Sequence, residues 1–109
     1  MEDFKAIKAD IKKLNKINPH ANNSENRRYF NLYDSIYERL LEMEKNGRIV
    51  KQPGNKDLSY LDKLAKNDGP EYCYTIIFWE KGHPLRKYKI GVCVRGLPIC
   101  KPYNRILFT

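Results

Sequence analysis

Apolar residues recur at a helical period over the first 66 residues, and at a strand period after Pro70. Phe4, Ile7, Ile11, Leu14 and Ile17 stand at spacings of 3, 4, 3 and 3, which predicts a helix over about 3–17. Lys5, Lys8, Lys12, Lys13 and Lys16 fill its remaining faces. A stripe this narrow on a helix this short needs a partner surface to be stable. The candidates are its own domain, a second copy of the chain in a homodimer, a target protein, or a membrane. The modest aliphatic stripe disfavours the membrane. Segment 1–17 therefore reads either as part of the core or as a detachable arm on a core of 25–109.

Asn18-Pro19-His20-Ala21-Asn22-Asn23-Ser24 is rich in turn residues and breaks the pattern. Asn22 or Ser24 caps the next helix, and Glu25, three residues after Asn22, gives a pairing like a capping box. The second helix is expected over about 25–46. Tyr29, Tyr33, Ile36, Leu40 and Met43 form one stripe, with Phe30, Tyr37 and Leu41 beside it. Together they cover about half the circumference, enough to touch two neighbours. Gly47 supplies the stop. Tyr29, Tyr33 and Tyr37 stand one turn apart and read as helical core rather than as a stacking row. A short strand or extended link follows over 48–51. A third helix is expected over about 57–66, with Leu58, Leu61 and Leu64 as its stripe.

After Pro70 the run 72–80 is dense in aromatic and β-branched residues and predicts a central strand. Residues 86–95 alternate. Tyr88, Ile90, Val92 and Val94 take one face, and Lys87, Lys89, Gly91, Cys93 and Arg95 take the other. Pro98 and Pro102 make the start of the tail an edge or loop, and 105–108 closes as a last strand. The expected fold is a single α+β domain over 1–109: two or three N-terminal helices packed on a small C-terminal antiparallel sheet of about three strands.

Charge changes this picture more than size does. The 109 residues carry a net charge of +8. Residues 1–80 hold fourteen basic and thirteen acidic side chains, whereas residues 81–109 hold seven basic side chains and no acid. A field so concentrated favours a polyanion as partner. Fourteen Lys and ten Asn against four Ala suggest an AT-rich genome, which fits a phage or mobile element. The acidic start Met1-Glu2-Asp3 lacks a signal-peptide core, and no apolar run is long enough to span a membrane, so a cytoplasmic protein is expected. Cys73, Cys93 and Cys100 have no paired spacing, with only His20 and His83 to complement them, so neither a metal nor another cofactor is expected.

The sequence contains no phosphate-binding glycine loop, nucleophile elbow or metalloprotease helix. What remains is the C-terminal basic cluster. Arg86, Lys87, Lys89, Arg95, Lys101, Tyr103 and Arg105 are the candidate contacts to nucleic acid or to an acidic surface of a nucleoprotein complex. Trp79, Tyr74 and Tyr103 could stack a base if exposed, although Trp79 and Tyr74 read as core. Two helices followed by a basic antiparallel sheet resembles the arrangement of RelE-type toxins, which cleave messenger RNA on the ribosome. That resemblance implies an RNA-cleaving site around His83, Arg95 and Tyr103, with Lys87 and Lys89 nearby. The leading expectation is a non-enzymatic binding protein that docks through its basic sheet and inhibits a nucleoprotein machine. The alternatives are the toxin and a self-associating regulatory module.

Overall fold

The computed structural model describes residues 4–66, 73–93 and 104–108. Helix α1 (Phe4–Leu14) and helix α2 (Asn23–Lys45) lead into strand β1 (Ile49–Lys51) and helix α3 (Tyr60–Lys66). Strands β2 (Cys73–Glu80), β3 (Tyr88–Cys93) and β4 (Asn104–Phe108) follow. The four strands form one antiparallel sheet in the order β1-β2-β3-β4. This is the expected α+β arrangement, with β1 added to the edge of the C-terminal strands.

Local chemistry sets the boundaries. The side chain of Asn22 accepts a hydrogen bond from the Glu25 amide at 2.8 Å and so caps α2. Gly47, at φ +71°, turns the chain out of that helix. Helix α1 ends at Leu14, three residues before the end of its apolar stripe. Tight turns carry the chain on, with Ile17 N–H donating to the Leu14 carbonyl at 3.1 Å, and Ile17 stays buried. Strand β3 begins at Tyr88 rather than at Arg86, because the preceding segment is folded into turns. In one of them Arg86 N–H donates to the His83 carbonyl at 3.2 Å.

The helices and one face of the sheet share a single core. Phe4, Ile7, Ile11, Leu14 and Ile17 are buried with Tyr29, Tyr33, Ile36, Tyr37, Leu40 and Met43 of α2 and with Ile76, Phe78, Tyr88 and Ile90 of the sheet. The tyrosine row is therefore core. Tyr33 and Tyr37 stack at 6.0 Å between centroids, and burial pushes both hydroxyls well above the ordinary phenol range. The Tyr37 hydroxyl donates to the Leu58 carbonyl, and Glu44 accepts from the Leu58 amide at 3.1 Å. Two side chains two turns apart on one face of α2 thus hold the approach to α3.

Helix α1 is tied down at both ends of its stripe. Phe4 packs edge-on against Tyr88 at 5.3 Å, and Tyr88 stacks on Phe78 at 5.6 Å. Arg39 of α2 donates to Asp10 at 2.7 Å, and Lys13 lies 3.8 Å from the same carboxylate. The stripe that could have received a second copy of the chain is consumed inside the protomer. Burying such aliphatic side chains contributes roughly 1.5–3 kcal/mol each. Ile7→Ala should therefore lower global stability by about 2–5 kcal/mol in urea unfolding. An unchanged midpoint would mean that α1 is an arm outside the cooperative unit.

Candidate nucleic-acid interface

Strand alternation decides where each basic side chain goes. Tyr88 and Ile90 are buried beneath the helices, so Lys87 and Lys89 must emerge on the opposite face, and both are exposed. Register then selects their neighbours. Lys89 pairs with Ile77, Gly91 with Thr75 and Val50 with Trp79. Ile77, Trp79 and Val50 are half-buried on this outer face and Thr75 is exposed, with no described helix lying over them. The Lys87 ammonium stands 5.7 Å from the centroid of the Trp79 ring. The sequence run 76–79 hides this division, because Phe78 goes to the core and Trp79, one residue on, goes outside.

Gly91 keeps the outer face low beside Lys89. A Cβ there would come within 3.1 Å of both the Thr75 hydroxyl and the Tyr74 carbonyl. Tyr74 itself points to the helical side, where it meets Tyr60 edge-on at 5.1 Å and accepts a hydrogen bond from the Lys56 amide at 3.1 Å. It is not a stacking surface.

The remaining predicted residues separate. His83 and Arg86 line a groove against α1, on the helical side of the sheet. Their turn is shaped by Gly82, whose φ of +93° lets His83 N–H reach the Glu80 carbonyl at 2.9 Å. The His83 ring lies 3.9 Å from the Glu80 carboxylate, which is 3.8 Å from Arg48. Leu85, at the tip between the two faces, is 96% exposed. Arg105 belongs to β4, where its backbone pairs with Gly91. Arg95, Lys101 and Tyr103 lie outside the described residues. The cluster read from sequence as one patch is thus split by the sheet: Lys87 and Lys89 on one side, His83 and Arg86 on the other.

Acidic groups gather elsewhere. On the exposed flank of α2 and α3, the Asp34 carboxyl is held above its ordinary value, first by partial burial and then by the neighbouring charges of Glu38 and Asp62. Among the described residues no group of side chains could hold a metal ion, and no helix is long and apolar enough to cross a membrane. Comparison with protein-family models, with curated proteins and with solved structures found no match for this chain.

The chain contains one tryptophan, so the field at Trp79 can be read directly. Iodide should quench its fluorescence more strongly than caesium does, because Lys87 and Lys89 concentrate anions there. Lys87→Ala should narrow the difference. Equal quenching by the two ions in the unaltered protein would show that the face carries no effective positive field.

Proposed function

We propose that this protein binds a single-stranded nucleic acid on the outer face of its sheet and acts by binding rather than by cleavage. The observation that carries this reading is the outer sheet face, over which no described helix lies, where Lys87 stands against a half-buried Trp79 and Lys89 pairs with the neighbouring Ile77. Ammonium groups neutralise phosphates, and an indole accepts an unstacked base, whichever base it is. A duplex keeps its bases stacked, so the indole favours a single strand.

The toxin reading has less support. Of the three residues it needs, the described one, His83, stands in the groove beside α1 rather than with Lys87 and Lys89. On the binding reading, an RNA strand leaves the complex intact and the protein acts by covering it. Such a protein would inhibit a nucleoprotein machine by occupying its nucleic acid.

Titration of Trp79 fluorescence with single-stranded oligo-dT and oligo-U tests this. Quenching is expected, with affinity falling as salt rises. Two phosphate contacts give a log–log slope of about −1.4, at about −0.7 for each neutralised phosphate on a single strand. Lys87→Ala and Lys89→Ala should each flatten the slope by about 0.7. Trp79→Ala, followed by anisotropy of a labelled strand, should cost about 1–3 kcal/mol of binding. Absence of salt-sensitive binding would overturn the proposal in favour of an acidic protein surface as partner. Cut RNA would overturn it in favour of the toxin.

A further inference from the structure

The groove between α1 and the β2–β3 turn is a second and separate basic feature. It encloses about 540 Å³. Lys5, Lys8 and Lys12 form one wall, at helical spacings of 3 and 4 that put them on one face. His83 and Arg86 form the other, more than seventy residues away in sequence. Phe4 and Tyr88, packed edge to face and almost wholly buried, make a rigid apolar floor with Ala9.

Three observations set this groove apart from a merely solvated helix face. Its wall carries one sign only. The single acid of the helix, Asp10, faces α2 and is already held by Arg39 and Lys13. Like charges three and four residues apart oppose helix formation by roughly 0.2–0.5 kcal/mol per pair, so this wall is a cost to the free protein. Second, Lys8 is half-buried, yet neither Lys8 nor Lys12 has an acidic partner among the described residues. Third, Glu80 is the one carboxylate lining the groove, and its charge is countered by Arg48 at 3.8 Å. Lys8, Lys12 and Arg86 therefore converge on a concave space, with Lys5 at its end.

We infer that this groove binds a polyphosphate chain, such as that of a nucleoside triphosphate. The lysine wall runs about 10 Å along the helix axis, at 1.5 Å per residue, so successive phosphates can each meet a different ammonium. Arg86 closes on the chain from the facing wall, where its planar fork suits phosphate oxygens. A volume of this size lies within the usual range for small-ligand sites, roughly 300–1,000 Å³. The apolar floor would accept the ring of a nucleotide rather than further charge. This site is independent of the sheet's outer face, since none of its lining residues belongs to that face.

The probes are inorganic tripolyphosphate, ATP and AMP, titrated calorimetrically at low ionic strength with melting temperature as a second readout. Tripolyphosphate and ATP should bind one per chain, and AMP at least tenfold more weakly, because its one phosphate cannot reach Lys8, Lys12 and Arg86 together. Either polyphosphate should also raise the melting temperature, as any ligand of the folded state does. Tighter binding of ATP than of tripolyphosphate identifies a nucleotide as the source, with its ring on the Phe4–Tyr88 floor. Equal binding identifies the phosphate chain alone. The triple substitution Lys8→Ala, Lys12→Ala and Arg86→Ala changes only exposed or half-buried side chains and should weaken binding at least tenfold. Lys87→Ala with Lys89→Ala should leave it unchanged. The inference is overturned if tripolyphosphate and ATP fail to bind saturably, if the triple variant binds as well as the parent, or if the outer-face pair abolishes binding. These outcomes are separate from the oligonucleotide result, because the two sets of substitutions share no residue.

Discussion

Burial of Tyr88 and Ile90 is the constraint on which the surface of this protein depends. In a strand, neighbouring side chains leave on opposite faces. Once these two are packed beneath the helices, Lys87 and Lys89 have no choice of side. The same packing draws α1 in, because Phe4 rests on Tyr88 and Tyr88 on Phe78. One aromatic stack therefore fixes the orientation of the outer face and also seats the helix that supplies the groove wall. A one-residue slip of β3 would reverse both results by sending the lysines inward.

The outcome is a molecule with three electrostatic regions. The outer face of the sheet is cationic and part aromatic. The groove beside α1 is cationic and concave. The flank formed by α2 and α3 carries Asp34, Glu38 and Asp62. A net charge of +8 is thus the sum of unlike surfaces rather than a uniform coat. Steering by such a field acts over about a Debye length, roughly 8–10 Å at ordinary salt.

Much of the fold was legible in the sequence, because local chemistry determines it. The stripes of α1 and α2, the Asn22 cap, the Gly47 stop and the alternation of β3 each depend on residues within a few positions of one another. The site was less legible for a physical reason. Periodicity shows that α1 has an apolar face but not what that face meets, so Lys5, Lys8 and Lys12 look like solvated helix surface until α1 is docked beside Arg86. The signal that could have marked them is their own spacing of 3 and 4 along one face of the helix. Trp79 was hidden differently. In the run Ile76-Ile77-Phe78-Trp79 every residue is apolar, so composition cannot reveal which two are inside. The short strand β1 was also ambiguous from sequence, since three residues carry too little pattern. Its identity as a strand rests on pairing with β2, which is continued by Gln52 N–H donating to the Ile77 carbonyl at 2.8 Å.

The central claim is that the sheet divides the C-terminal cations into two faces and that the outer one holds a nucleic-acid strand. Backbone amide shifts of the labelled protein, followed by NMR as a single-stranded oligonucleotide is added, test this residue by residue. The account predicts that the largest shifts fall at Ile77, Trp79, Lys87 and Lys89 and at the Trp79 indole N–H, with Lys5, Lys8, Lys12 and Asp34 little changed. Shifts centred on α1 and Arg86, with the outer face silent, would contradict it.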